Sequence, residues 1–157
     1  PAYMRLGKSP GIDYAKSDFT FKFGKGYLVK EGSEVLLIST GNILDIVMNA
    51  AMLIEENYGF SVGVISMPSI KPIDEDLIVK NATNAQGVFT IEEHSVIGGL
   101  GSIVKGLLWE HGVMKKKFKS FGFEDEFVKV VGERDYLLES TGIEANLLAK
   151  NVGEIMK

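Results

Sequence analysis

A segment with two carboxylates and a histidine carries the most conspicuous chemistry in this sequence. Glu92, Glu93 and His94 follow an apolar run at residues 87–91 that predicts a core strand. Open α/β sheets place ligand sites beyond the carboxyl ends of their strands, so these side chains are candidates for binding or catalysis. Three glycines follow at a predicted helix start, where free N–H groups favour anions: Gly98, Gly99 and Gly101.

Three chemical interpretations of this segment are weak. The glycine spacing matches neither of the common phosphate-binding patterns. Glu92, Glu93 and His94 are consecutive, so an extended backbone cannot bring all three onto one metal ion, and the other histidine, His111, lies far along the next helix. A triad that adds Ser95 fails for the same reason, because triads combine separated segments. We therefore interpret the glycines as close packing positions, and the acids and histidine as polar contacts at a domain or subunit boundary.

Other candidate groups are poorer. Glu55–Glu56 and Glu124–Glu126 are paired acids that we interpret as solvated ends of elements, and the lysines at 115, 116, 117 and 119 as a solvated helix end and strand start. Trp109 lies off the apolar stripe of its helix, which favours either the edge of the core or an interface anchor. On residue chemistry alone, the chain has no self-contained catalytic constellation.

Composition restricts the class of protein. The chain has 157 residues, a formal net charge of −4 and no cysteine. One domain is expected at this length, and disulfides, thiolate metal sites and a cysteine nucleophile are excluded. The negative net charge does not indicate binding to nucleic acid or to an anionic membrane, and no apolar run is long enough for a membrane span. The N-terminus lacks an initiator methionine and the apolar core of a signal peptide, so we expect a piece of a longer cytoplasmic protein.

The elements that must position the segment alternate between strands and helices. Residues 1–18 predict a linker, and residues 19–157 the domain itself. Alternation at residues 19–23 predicts a half-buried first strand that resumes at 27–29, at an antiparallel edge. Apolar runs predict core strands at residues 35–40, 62–66, 87–91 and 117–121. The predicted fold class is α/β: a three-layer α/β/α sandwich around a mostly parallel five-stranded sheet with one antiparallel edge strand.

Local signals mark the helix ends. Asn42 with Asp45 predicts the start of the first helix and Gly59 its end. Asp74 predicts a cap for the second helix. Thr141 with Glu144 predicts a capping box for the last one.

The ordered set of segments resembles the C-terminal domain of transketolases. The residues that carry the resemblance are 3–8 (YMRLGK), 23–26 (FGKG), 31–41 (EGSEVLLISTG), and Glu92–Glu93–His94 through Gly98–Gly99–Leu100–Gly101. Parts of the set are shared by 1-deoxyxylulose-5-phosphate synthase and by the beta subunits of 2-oxo-acid dehydrogenases. A free-standing dimerisation module without an enzyme is the alternative from another class.

The resemblance implies a thiamine-diphosphate-dependent enzyme that transfers a two-carbon ketol unit between sugar phosphates, with Mg²⁺ or Ca²⁺, as in the pentose phosphate pathway. The isolated chain would be inactive, because the family's cofactor lies between a diphosphate-binding and a pyrimidine-binding domain that this sequence lacks. Residues 1–18 would be the exit from the pyrimidine-binding domain. The implied partners are the remaining transketolase domains or an N-terminal subunit, in a homodimer or heterotetramer.

The resemblance also assigns roles at the start of the chain. Lys8 matches a basic family residue, usually arginine, that helps to bind the sugar phosphate, although lysine lacks the bidentate fork of arginine. Arg5 matches a family arginine of structural role. No cofactor-binding, metal-binding or catalytic residue is carried over.

Overall fold

The computed structural model of the chain describes residues 1–4, 12–14, 20–113 and 117–157. These residues form five strands and five helices. The strands are β1 (Tyr27–Lys30), β2 (Val35–Thr40), β3 (Val62–Ser66), β4 (Gly87–Ser95) and β5 (Lys117–Phe123). The helices are α1 (Leu44–Tyr58), α2 (Glu75–Asn84), α3 (Leu100–Glu110), α4 (Arg134–Ser140) and α5 (Ala145–Met156).

The strands make one sheet in the order β1-β3-β2-β4-β5. β1 pairs antiparallel with β3, and the other neighbours are parallel. The predicted α/β class, with a mostly parallel five-stranded sheet and an antiparallel edge strand, is therefore confirmed.

Both faces of the sheet are buried, as the continuous apolar runs predict. Alternate residues of β2 face opposite layers: Val35 and Leu37 pack with α1, α4 and α5, whereas Leu36 and Ile38 pack with α2 and α3. The result is the predicted three-layer sandwich. No helix among the described residues is long and apolar enough to cross a membrane.

The strand predicted at residues 19–23 is wrong over its described part, residues 20–23. These residues are not in the sheet, and Phe21 and Phe23 are 56% and 75% exposed. Gly24 N–H donates to Ser69 Oγ (3.0 Å) and Gly26 N–H to Asp74 Oδ2 (3.2 Å), which fixes this segment on the loop after β3. The edge position is taken by β1 instead.

Two of the four predicted helix ends are confirmed. Asp74 caps α2 by accepting a hydrogen bond from Leu77 N–H (3.3 Å), and Gly59 ends α1 with a φ of 75°. The predicted Asn42–Asp45 cap is wrong, because α1 begins after Ile43 without a side-chain cap. Asp45 lies in the first turn instead, where its negative charge interacts favourably with the helix dipole.

The predicted Thr141–Glu144 capping box is also wrong. Thr141 Oγ1 donates to the carbonyls of Leu137 and Leu138, and so closes α4, a short helix that was not predicted. Glu144 alone caps α5, by accepting from Asn146 N–H (3.3 Å).

Glu55 holds the edge strand against α1, so its interpretation as a solvated end is wrong. Its Oε1 accepts hydrogen bonds from Lys30 Nζ (2.5 Å) and from Val62 N–H (3.1 Å). Burial raises the pKa of Glu55, but these two hydrogen bonds and the charge of Lys30 outweigh it, and the pKa is lowered below its ordinary value. The ion pair therefore stabilises the fold above the ordinary carboxyl pKa, and this contribution is lost as the pH falls through the lowered value.

Candidate functional site at the carboxyl edge of the sheet

Between the neighbouring strands β2 and β4, the order in which the chain adds strands to the sheet changes direction. From β2 the chain continues through α1 to β3, and from β4 it continues through α3 to β5 on the other side. Because α1 and α3 cover opposite faces, the two loops diverge here. Such a switch point is where open α/β sheets bind ligands.

The predicted site residues Glu92, Glu93 and His94 lie within β4 itself, which continues to Ser95. The expectation that they follow the end of the strand is therefore wrong. The pairing of β4 with β2 ends at Thr40 and Glu92, so Glu93 and His94 extend past the neighbouring strand. Alternation along the strand sends their side chains to different environments.

Glu92 caps helix α3. Its side chain is 1% exposed, and its carboxylate accepts hydrogen bonds from Leu100 N–H (2.7 Å) and Gly101 N–H (3.0 Å). Gly99, the residue before α3, makes no side-chain cap. The strand thus supplies the negative charge that the N–H groups of the helix start require. This buried carboxylate is occupied by its own chain and has a structural role.

The glycines around α3 let the helix approach the strands. An added Cβ at Gly99 would lie 2.0 Å from Glu92 Oε2, and one at Gly101 would lie 2.1 Å from Ser120 Oγ. Gly98 has a φ of 73°, in the left-handed region that favours glycine. The interpretation as close packing positions is therefore confirmed for Gly99 and Gly101 and wrong for Gly98, where nothing in the described part of the chain lies within 4 Å of an added Cβ.

Glu93 binds Arg134, the first residue of α4. Arg134 Nη2 donates to Glu93 Oε2 (2.8 Å) and to the carbonyl of Asn42 (2.7 Å), and Nε donates to Glu93 Oε2 (3.1 Å). The hydrogen bond with Glu93 raises the pKa of Arg134, burial opposes this, and the charges of Glu93, Asp135 and Asp45 add to it. One guanidinium therefore joins β4, the β2–α1 loop and α4.

The hydroxyl of Tyr14 lies within electrostatic range of Asp45 at the start of α1. Its pKa is raised by burial and then by the negative charge of Asp45 in the first turn of α1. Lys8 and Arg5 lie outside the described residues.

His94 does not join either acid. Its ring is exposed, and Nδ1 lies 2.9 Å from the carbonyl oxygen of Ser95. Ser95 Oγ accepts from Ile97 N–H (3.2 Å), so the three side chains do not form a triad. Among the described residues, no group of three histidines or acids could hold a metal ion. The described residues therefore do not fit the metal-bound diphosphate of the implied cofactor, and we derive no step through it.

Sequence reasoning missed Arg134 and the capping role of Glu92. An arginine at the start of an unpredicted short helix gives no local signal, and its partners are 41 and 92 residues away. Trp109 is 69% exposed, so the core-edge interpretation is wrong and the interface interpretation stays a prediction. Lys117 Nζ donates to the carbonyl of Met156, whereas Lys115 and Lys116 lie outside the described residues.

We predict that a double-mutant cycle for Arg134→Gln and Glu93→Gln will give a coupling energy of about 1 kcal/mol, because two nitrogens of Arg134 donate to Glu93 but the pair is partly exposed. Urea unfolding of the four proteins measures it. Arg134→Gln should also lower hydrogen-exchange protection in α4, since it frees the helix from Asn42. A coupling energy near zero would contradict a role for this pair in holding α4.

The fold and this edge together define an α/β domain in which the residues at the switch point hold α3 and α4 against the sheet. The family model of the transketolase C-terminal domain matches residues 24–147. The chain belongs to this family.

Several relatives match almost the whole chain. A transketolase C-terminal section of Methanocaldococcus jannaschii is 35% identical over 100% of this chain and 48% of the relative. A 6-deoxy-6-sulfo-D-fructose transketolase subunit of a Clostridium species is 32% identical over 99% of this chain and 47% of the relative. The 1-deoxy-D-xylulose-5-phosphate synthase of Francisella philomiragia is 32% identical over 99% of this chain and 24% of the relative.

Solved structures agree. A split-gene transketolase described as an inactive beta4 tetramer superposes with a TM-score of 0.81 at 34% identity, over 95% of this chain and 48% of that one. The transketolase of Campylobacter jejuni shares the fold, with a TM-score of 0.61 at 18% identity. The match covers 88% of this chain and 20% of the C. jejuni chain. The chain thus spans about half the length, or less, of the proteins that it matches.

Proposed function

We propose that this chain is the C-terminal part of a transketolase that transfers a two-carbon ketol unit between sugar phosphates with thiamine diphosphate and Mg²⁺ or Ca²⁺. The observation that carries the proposal is the match of the whole chain to the transketolase C-terminal section of M. jannaschii. The chain spans 47–49% of three relatives named as transketolase sections or subunits. The thiazolium of the bound cofactor would supply the carbanion chemistry.

In this proposal the residues of this chain contribute to assembly of the enzyme and do not take part in the reaction. The acids at the switch point are engaged within the chain, Glu92 by α3 and Glu93 by Arg134. The chain would work in the cytoplasm with the remaining transketolase domains or an N-terminal subunit, as a homodimer or heterotetramer. Glu93 and His94 would lie at that boundary.

Lys8 is the residue that we propose near substrate, as a charge contact for the sugar phosphate. This role rests on its match to a basic family residue, since residues 5–11 lie outside the described part of the chain. Its single ammonium can attract a phosphate but cannot form the two parallel hydrogen bonds of arginine.

Relatives named for 6-deoxy-6-sulfo-D-fructose and for apulose 4-phosphate widen the range of sugars that must be tested. A second candidate is a part of 1-deoxyxylulose-5-phosphate synthase, favoured by the identity of 32% with the F. philomiragia enzyme. The two differ in their product, and one assay separates them.

The test is co-expression of this chain with the chain or chains of the same organism that carry the diphosphate-binding and pyrimidine-binding domains. Ketol transfer from a panel of ketose phosphates should require the complete set, thiamine diphosphate and Mg²⁺, and the isolated chain should show none. With pyruvate and glyceraldehyde 3-phosphate also supplied, formation of 1-deoxyxylulose 5-phosphate with release of CO2 would instead establish the second candidate. A complete, folded complex without either product would refute both.

Within that complex, Lys8→Ala should raise the KM for phosphorylated sugars about tenfold, as expected for the loss of one charged phosphate contact. Lys8→Arg should retain or improve the KM. Lys22→Ala, in the nearby described segment, is the matched control for the loss of a lysine. Unchanged KM values for Lys8→Ala would remove this residue from the site.

A further inference from the structure

The outward face of α3 presents a large aromatic ring beside a bare stretch of backbone. Trp109 is 69% exposed. Gly106, one turn earlier on the same side, is also exposed, and no described atom lies within 4 Å of a Cβ added there. A glycine weakens the interior of an exposed helix, and tryptophan is concentrated at the centres of interfaces. This face is therefore better suited to contact with another molecule than to contact with water.

The exposed residues of α3 have the spacing of a seam between paired helices. Ser102, Gly106 and Trp109 are separated by four and then three positions, as are the d, a and d positions of a heptad pattern. The positions that point the other way are filled by buried residues of the core: Val104, Leu107 and Leu108. The seam thus faces solvent, while the opposite side of α3 holds the helix on the sheet.

Two opposite charges flank the seam. Lys105 and Glu110 are exposed and occupy the g and e positions on its two sides. Within the described part of the chain, neither is in an ion pair. When two parallel helices are related by a two-fold axis, each g residue faces the e residue of the next heptad in the other helix. Lys105 of each copy then faces Glu110 of the other, so the occupant that the charges favour is a second copy of this chain.

An antiparallel pair of the same helices is disfavoured. In that arrangement each g residue faces the g residue of the other helix, and each e residue faces the other e residue. Lys105 would face Lys105 and Glu110 would face Glu110, which brings like charges together on both sides of the seam. The charges therefore select the parallel arrangement.

The ring of Trp109 fits the space that Gly106 leaves. Side chains on a helix lean towards its N-terminus, so in a parallel pair the ring of Trp109 lies beside Gly106 of the other copy. Because Gly106 has no side chain, the two helix axes can approach to about 8 Å, the short end of the usual range. In each copy α3 lies over β4 and the edge strand β5, and its outward side is left uncovered by the described residues.

We propose that α3 pairs in parallel with α3 of a second copy about a two-fold axis, with Trp109 against Gly106 and Lys105 against Glu110 of the other copy. The helix has 11 residues and is about 16 Å long, so the interface is small and the association is weak. At the dilute concentrations of unfolding measurements the chain is therefore monomeric. The pairing does not depend on the proposed reaction.

The chain has one tryptophan, so its fluorescence reports directly on this contact. Between about 10 and 500 µM, a range suited to a small interface, sedimentation velocity should show a monomer–dimer equilibrium. The emission of Trp109 should shift to shorter wavelength as the dimer forms, because the ring leaves water. Trp109→Ala should raise the dissociation constant at least tenfold. Circular dichroism should show that this variant is folded, since the position is exposed.

Charge reversal tests the ion pairs. Lys105→Glu and Glu110→Lys should each raise the dissociation constant about tenfold, and the double variant should return it to within about threefold of the wild-type value, because opposite charges again face each other. Lys150→Glu and Glu154→Lys are the matched controls, since they make the same changes in net charge on α5, at the other face of the sheet. Each control should change the dissociation constant by less than about threefold.

A cross-link tests the direction of the two helices. In the parallel pair Ser102 faces Ser102 of the other copy, and the chain has no cysteine of its own. Ser102→Cys should therefore form a disulfide-linked dimer faster than Ser33→Cys, a control at another exposed serine, and adding Trp109→Ala should remove the difference.

Three results would overturn the proposal. The first is a chain that stays monomeric at about 500 µM, the upper end of the range for a small interface. The second is a dimer that Trp109→Ala leaves unchanged. The third is a dimer in which reversal of Lys105 or Glu110 acts no more strongly than the controls on α5.

Discussion

Glu92→Ala should destabilise the fold by about 3 kcal/mol, which is the order expected for two lost charge-assisted hydrogen bonds in a buried site. The substitution leaves Leu100 N–H and Gly101 N–H without their acceptor at the start of α3. Because the carboxylate is 1% exposed, water cannot replace it without rearrangement. Glu92→Gln should cost less, since its amide oxygen can still accept one of the two hydrogen bonds.

Urea unfolding monitored by circular dichroism measures the loss, and hydrogen exchange locates it. The amide protons of Leu100 and Gly101 should lose protection selectively in both variants. Glu154→Ala, at an exposed acid in α5, is the matched control and should change the free energy of unfolding by less than about 0.5 kcal/mol. A change of that small size for Glu92→Ala would show that the cap is not needed to hold α3.

The sheet could be predicted because each core strand can be recognised from its own residues. Val35–Thr40 is an apolar run of strand length, and only a strand with both faces covered explains such a run. Asp74 and Gly59 act on residues a few positions away, so their roles were also visible in the sequence. The antiparallel edge followed from the break at Gly24–Gly26 before β1.

The errors concern residues whose partners are distant in the sequence. Phe21 and Phe23 alternate like a strand, but β1 already occupies the edge of the sheet. Thr141 and Glu144 have the spacing of a capping box, but Thr141 closes α4, a helix held in place by the buried Leu138 and by the contacts of Arg134. Local spacing could not reveal these contacts, because they form only after the chain has folded.

The candidate site shows the same division. Its position at a carboxyl edge followed from its place after a predicted core strand, and the improbability of a triad or metal site followed from three consecutive residues. The two acids nevertheless have different roles. Alternation along β4 places Glu92 against α3 and Glu93 against α4, and the sequence does not state which helix covers which face.

The close approach of α3 to the sheet should make Gly101→Ala destabilising, although alanine is the better helix former. An added Cβ at residue 101 would lie 2.1 Å from Ser120 Oγ, 2.7 Å from Ser120 Cβ and 2.8 Å from Thr90 Oγ1. A hydroxyl can rotate, but the Cβ of Ser120 is fixed by β5, so the helix must move away. Overpacking of this kind typically costs 1–3 kcal/mol, and we expect a net loss of about 2 kcal/mol.

Gly106→Ala in the same helix is the matched control. It is exposed, and nothing lies within 4 Å of an added Cβ there. The same chemical change should therefore stabilise the protein by about 0.5–1 kcal/mol through helix propensity alone. Changes in stability of opposite sign at two glycines of one helix cannot arise from helix propensity, so they would isolate the effect of packing against Ser120.

A second-site change tests the cause. Ser120→Gly removes both of the nearest atoms, and in this background the cost of Gly101→Ala should fall by about 1 kcal/mol, a coupling expected of residues in contact. The contact with Thr90 Oγ1 remains, so the rescue should be partial. The hydroxyl of Thr90 is the one buried side-chain polar atom in the described part of the chain without a hydrogen-bond partner. It therefore has no hydrogen bond to lose when it turns away from the new methyl group, which is why the backbone of β5, rather than Thr90, sets the main cost. Equal costs of Gly101→Ala with and without Ser120 would contradict this account of the packing.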